Sequence, residues 1–307
     1  MAVLSPPREA AGDPWQPPPE PAKPPRRGGD PRFVVPGAAL TVLAALLLGF
    51  AVNLTLLGQV EHARTQRHGY DRLRAELALG TAPVGRLDDN GRAVPAGAPV
   101  AVLHIPSIGL REVVFQGTSS GVLTAGPGHR RDTPLPGQPG VSVIMGRQWG
   151  YGGPFQHLHE LRAGDEITVT TGQGQQKYRV TGVRRAGDPV PALPTGGQGR
   201  LLLMTATGSL YTPSGVLRVD AGLVGPAQPA PAAGGGIDAA EQPLAGDASA
   251  WLPVMLWLQA LLAATAVLTW TFRRWGRWQT WICGLPVLTA IVVALSGAAT
   301  GLLPNLL

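Results

Sequence analysis

The sequence contains one cysteine, Cys283, and it lies inside an apolar run. An intrachain disulfide is therefore excluded, and so is a cysteine-based metal site. Residues 58–249 hold no thiol at all. Charge is scarce too: 14% of the 307 residues are charged, against 44% hydrophobic. That balance points to membrane segments beside a folded soluble part rather than to one large globule. The net charge of +6 raises the question of nucleic acid, but the excess is spread out. Residues 1–32 carry five basic and four acidic side chains, and residues 58–249 carry seventeen and fifteen. No segment joins a basic patch to interleaved aromatics, so nucleic acid is not an expected partner. The glycine stretch TTGQGQQ lacks the Lys-Ser/Thr that would lead a phosphate loop into a helix, and it reads as a hairpin turn.

Glycine (42) and proline (31) are abundant, and they gather where no core can form. Residues 1–32, with PWQPPPEPAKPPRRGGDPR, read as a disordered proline-rich cytoplasmic tail, and 225–249 as a Gly/Pro/Ala linker. Three apolar runs at 33–57, 250–272 and 280–303 are each about the ~20 residues a helix needs to cross a bilayer. The first lacks a small-residue cleavage site and reads as an uncleaved anchor. Arg26, Arg27 and Arg32 place the N-terminal side in the cytoplasm, and Arg273, Arg274 and Arg277 do the same for the short loop 273–279. Both constraints hold for three spans when the intervening part is extracytoplasmic. Trp251, Trp270, Trp275, Trp278 and Trp281 cluster near the span ends, as interfacial aromatics do.

Residues 58–99 read as a polar juxtamembrane helix (Gln59–Leu79) and a loop. From Val100 to Val224 the pattern becomes short apolar runs punctuated by Gly and Pro: VAVLHI, REVVFQ, VSVIMG, EITVTT, QKYRVTGV, RLLLMTAT and GVLRVDAG. Several alternate in period two, as half-buried strands do. Seven such strands at this spacing predict a closed β-barrel or a sandwich. A short helix is expected over Pro154–Leu161.

The order of motifs across Pro99–Val224 resembles the sortase family, in particular its actinobacterial, class E-like members. LHIPSIGL is similar to the family's opening strand and turn. GTSSGVLTAGPGHRRDTPLPGQPG is similar to its long connection, and VSVIMGR, GGPFQHLHELRAGDEITV and KYRVTGV follow in the expected order. The resemblance implies a mainly β protein, an eight-stranded sortase-like barrel, here with three transmembrane helices.

It also implies nucleophilic catalysis: a cysteine thiolate attacks a threonyl carbonyl, a histidine handles protons and an arginine stabilises the oxyanion. Two of those three positions differ here. VIMGRQWGYGGPF puts Arg147 where the histidine is expected, and LLLMTATG puts Ala206 where the cysteine is expected. Only the arginine is matched, by Arg218 in GVLRVDA. Alanine has no nucleophile, and a guanidinium stays protonated at physiological pH. The resemblance thus implies a degenerate sortase, a pseudoenzyme.

Thr205, Thr207 and Ser209 flank the alanine, and an unassisted hydroxyl is a poor nucleophile. His129 lies in GPGH and reads as structural. Arg147, Thr205, Ala206, Thr207, Arg218 and His129 make up the candidate groove. Arg218 has three readings: a charge on a strand face, the balance to a barrel carboxylate, or, with Arg147, a cationic groove for a peptide carboxylate or an acidic wall polymer. His104, His157 and His159 show no carboxylate pattern near them. His157 and His159, two apart on a helix, diverge and suit solvent rather than a metal. No cofactor and no metal is expected.

Three functions follow. The first is a catalytically inactive binding or scaffold module for secreted or cell-wall proteins. The second is a residual peptidase or transpeptidase using Thr or Ser. The third is a structural subunit of a membrane assembly.

Overall fold

The computed structural model describes residues 47–49, 51–52, 57–88, 91–209, 212–230, 241–246, 250–275 and 277–306. The tail expected at 1–32 lies outside them, as do most of the span expected at 33–57 and the middle of the linker.

Helix α1 (Gly58–Leu79) buries Gly58, His62, Gly69 and Leu73, spaced as one face of a helix, and leaves its other sides polar. It ends at Gly80, whose φ of 70° lets its N–H turn back onto the last carbonyls. The buried face lies on strand β2 (Leu110–Gln116), and Gly69 is needed there: a Cβ would stand 2.8 Å from the Phe115 ring. Gln66 completes the seam by bonding both backbone groups of Val113, at 2.7 and 3.2 Å.

The barrel is then built from β1 (Pro99–Ile105), β2, β3 (Gly128–His129), β4 (Gly140–Met145), β5 (Glu166–Thr171), β6 (Gly174–Arg184), β7 (Gly199–Ser209) and β8 (Thr212–Val224). These eight strands close in the order β1-β2-β3-β4-β7-β8-β6-β5. A short helix α2 (Ser120–Ala125) sits between β2 and β3. The expected alternation holds on the central strands. Ala101, Leu103 and Ile105, Leu201 and Leu203, and Leu217, Val219 and Ala221 fill the interior. Val143, Met145, Met204, Ala206 and Val216 form a separate apolar cluster with Leu123 of α2. TTGQGQQ is indeed a hairpin turn between β5 and β6, with Thr171 opposite Gly174.

The helix expected over Pro154–Leu161 is not an α-helix. It is a run of tight turns ending in a 3₁₀ segment, Leu158–Glu160. Each bond spans three residues: Gln156 to Gly153, Leu158 to Phe155, Glu160 to His157 and Leu161 to Leu158. The apolar residues Phe155, Leu158 and Leu161 repeat every three positions and are all buried, which is the 3₁₀ period.

Two further helices, α3 (Trp251–Trp275) and α4 (Arg277–Thr300), are long and apolar enough to cross a membrane over Trp251–Thr271 and Ile282–Thr300. They pack antiparallel: Gly284 abuts Leu268, and at the other end Gly301 abuts Ala250. Residues 47–49 and 51–52 are helical, and Gly49 lies against Val292 of α4.

Candidate functional site

Strands β4 and β7 run parallel, with Val143 opposite Leu202 and Met145 opposite Met204. The Gly146 N–H donates to the Met204 carbonyl at 3.0 Å. Two residues beyond the last pair, Arg147, just past the end of β4, comes level with Ala206 inside β7. On the other side of β7, Met204 faces Arg218 of β8 and Ala206 faces Val216. Directly opposed residues share a face, so the register gathers Arg147, Ala206 and Arg218 at one end of one side of the barrel.

Arg147 is 1% exposed. Its Nη2 donates to the Ser120 hydroxyl at 2.7 Å, and its guanidinium lies 5.6 Å from the centre of the Tyr151 ring. Burial pulls its pKa down to about 10, with Tyr151 opposing the shift. It remains a cation at neutral pH and can neither abstract nor relay a proton there. Tyr151 pays a conformational cost to be present. Its φ of 43° is the single positive value among the described non-glycine residues.

Ala206 is buried in the apolar cluster that also holds Leu123, Met145 and Leu306, and with Thr205 it borders the cavity at Thr207. Leu306 comes from the segment after α4 and is fully buried, a contact contributing about 2 kcal/mol. Its carbonyl accepts the Gln148 N–H at 3.0 Å.

The neighbouring hydroxyls are differently placed. Thr205 alternates with Ala206 and points to the opposite face of β7. Its Oγ1 is buried and bonds to no described residue. Thr207 is partly exposed and lines an open cavity of about 400 Å³ together with Phe155, His159, Arg185 and Ser214. The Ser214 hydroxyl donates to the Thr207 carbonyl at 3.2 Å, and no hydrogen bond joins His159 to either hydroxyl among the described residues. The side chain of Ser209 lies outside the described residues. Arg218 is partly buried and forms no ion pair with a described residue, whereas its neighbour across β6, Arg184, binds Asp220 at 2.5 Å.

His129 does not line that cavity. It is completely buried on β3, with Nδ1 3.0 Å from Gln116 Oε1 and Nε2 2.9 Å from the Pro134 carbonyl. Burial lowers its pKa to about 4, so it is neutral and structural. His157 and His159 are exposed, as expected, but they do not diverge: their rings stack with centroids 6.5 Å apart, because they sit on a tight turn. A carboxylate is also present, with Glu160 Oε1 2.7 Å from His157 Nδ1. Among the described residues no group of three or more His, Cys, Asp or Glu is placed to hold a metal.

The sortase domain family model matches residues 103–216, which include β4, β7 and both Arg147 and Ala206. Over 43% of this chain and 91% of the other, the sequence is 30% identical to sortase E from Streptomyces avermitilis (TM-score 0.37). The chain belongs to the sortase family. Sortase C-1 from Actinomyces oris is 28% identical over 41% of this chain and 75% of its own, with a TM-score of 0.36. A Clostridium perfringens sortase D5 transpeptidase is 19% identical over 53% and 99%, with a TM-score of 0.44. No curated protein matches the chain.

Sequence reasoning missed Ser120, Tyr151 and Leu306. Ser120 and Tyr151 lie in glycine-flanked stretches with no periodicity. Leu306 is a hundred residues from its pocket.

Proposed function

We propose that this sortase-family chain is catalytically inactive and serves as a membrane-anchored module that holds a secreted or wall-linked protein at the outer face of the membrane. One observation carries the reading: where the end of β4 meets β7, the barrel presents a locked guanidinium and a buried methyl group, Arg147 and Ala206, in place of a base and a nucleophile. The other titrating groups do not replace them. His129 is neutral with both ring nitrogens engaged, and the one cysteine, Cys283, is on α4.

The membrane placement has support of its own. Ala250 and Gly301 meet at one end of the α3–α4 hairpin, and Asn305 binds the Ala245 and Gln242 carbonyls there. The arginines of loop 273–279 are at the other end. Basic loops stay cytoplasmic, so the barrel belongs outside. Residues 47–49 and 51–52 are helical and Gly49 lies against Val292, which supports a third span that includes them. The cavity at Thr207 and His159 is the open concavity left for a partner peptide.

The test is turnover of a fluorogenic sorting-type peptide by the purified full chain in detergent. No signal above buffer is expected. Turnover abolished by Thr207→Val or Ser209→Ala would establish the peptidase reading instead.

A further inference from the structure

The surroundings of both Arg147 and Ala206 are joined to the same piece of chain. Leu306 is fully buried in the apolar cluster that also holds Ala206, Leu123, Met145, Met204 and Val216, and its carbonyl is held by the Gln148 N–H. Beside Arg147, the Ser120 hydroxyl accepts from the guanidinium and donates to the Thr300 carbonyl at 3.2 Å. The Tyr151 hydroxyl donates to Thr300 Oγ1 at 3.3 Å, and Thr300 Oγ1 in turn donates to the Gly297 carbonyl. Thr300 is the last residue of α4, where helix carbonyls lack partners and the helix dipole is negative. A buried cation one hydroxyl away is the charge that such an end attracts. Asn305 fixes the segment from its other side through the Ala245 and Gln242 carbonyls.

These contacts are of different kinds and lie at both ends of the stretch from Thr300 to Leu306: an apolar side chain in a pocket, a backbone bond, a charge-assisted relay and a strained tyrosine. Loose packing of a loop would supply the first alone. We infer that the pocket at Ala206, with Arg147, Ser120 and Tyr151, is a binding site for a short apolar peptide in a turned conformation, and that its ligand is segment 300–306 of the same chain. The barrel is thereby clamped to the membrane hairpin, and this half of the groove is closed to outside peptides while the segment is seated. The inference rests on the non-catalytic reading, since a working thiol at this position would be covered.

A thiol probe tests it on the full chain in nanodiscs, with Cys283→Ser removing the native cysteine. Ala206→Cys should react with a maleimide at least ~10-fold more slowly than the same variant carrying Leu306→Asp, or ended after Leu303, because reaction then waits on local opening. Resistance to limited proteolysis shows that each variant retains its barrel. A second variant, Ala206→Cys with Leu306→Cys, should oxidise to an intramolecular disulfide seen as a mobility shift on non-reducing gels. Equal labelling rates with and without the segment, in folded protein that also forms no cross-link, overturn the inference. That result leaves the non-catalytic reading standing, whereas peptide turnover by the unmodified chain removes that reading whatever the labelling shows.

Discussion

Acid should weaken the barrel through His129, by an amount the structure allows to be worked out. The ring is completely buried, with Nε2–H donated to the Pro134 carbonyl. Nδ1 then accepts from the Gln116 amide, whose oxygen and nitrogen exchange places by rotation. Desolvation is the largest cause of its low pKa, and Arg86 and Arg130 push the same way. The Pro134 carbonyl and Asp132 oppose them without winning. The value falls from 6.5 in the unfolded chain to about 4 in the fold. Between those pH values the unfolded chain takes up the proton first, so stability is complete above 6.5 and is lost as pH falls through 4. At 1.36 kcal/mol per unit, the gap corresponds to ~3 kcal/mol. With a urea slope of roughly 2 kcal/mol/M, the midpoint should drop by ~1.5 M. Pulse proteolysis of the full chain in detergent, read on the barrel fragment, measures that midpoint at pH 7 and at pH 4. Carboxylates also titrate in this range, so the decisive quantity is the difference from His129→Gln. That variant starts less stable but should show a pH dependence flatter by most of the ~3 kcal/mol. Parallel curves for the two proteins would refute the assignment of His129 as a buried neutral histidine.

Thr205→Val should stabilise the barrel by ~1 kcal/mol, since it replaces a desolvated hydroxyl with a methyl of the same shape; a lower melting temperature would show that Oγ1 has a bonding partner after all. Arg147→His with Ala206→Cys puts an imidazole and a thiol level where the end of β4 meets β7. Thiol-dependent turnover of a sorting-type peptide is expected to be low in the full chain and to rise ~10-fold once residues 304–306 are removed, the factor that releasing part of one leucine's packing represents. No such turnover in either form would mean that the two positions do not face a common substrate.

Seven of the eight strands were legible because each is an apolar run long enough to show a period. β3 was not, because two residues, Gly128 and His129, carry no pattern; they pair only because β2 and β4 are there to receive them. The helix expected over Pro154–Leu161 is a 3₁₀ segment only at Leu158–Glu160, although the three-residue spacing of Phe155, Leu158 and Leu161 was present in the sequence. Within the candidate site, the motif order singled out Arg147 and Ala206, and parallel pairing of β4 with β7 brings those two candidates level. Strand alternation alone could have separated Thr205 from Ala206. The contacts to Leu306 and Thr300 were beyond reach, because they depend on where a membrane hairpin returns to the barrel, and no local rule sets that.

Arg147 and Ala206 make physical sense together better than either does alone. An arginine is among the costliest side chains to bury, and removing its compensating groups leaves an unpaired charge. Here the compensation comes from the Ser120 oxygens, the Tyr151 ring face and, through Ser120, the carbonyl end of α4. Without the hairpin seated, part of that support is gone. Ala206 makes the complementary contribution, since a small apolar side chain leaves the outer face of β7 free to receive Leu306. A histidine at 147 would neither reach as far nor hold its charge at neutral pH, and a thiolate at 206 would be driven to its neutral form by the same apolar cover. Arginine and alanine therefore suit a groove that holds a segment of its own chain, and thiolate–imidazole chemistry is the kind that such a cover would suppress.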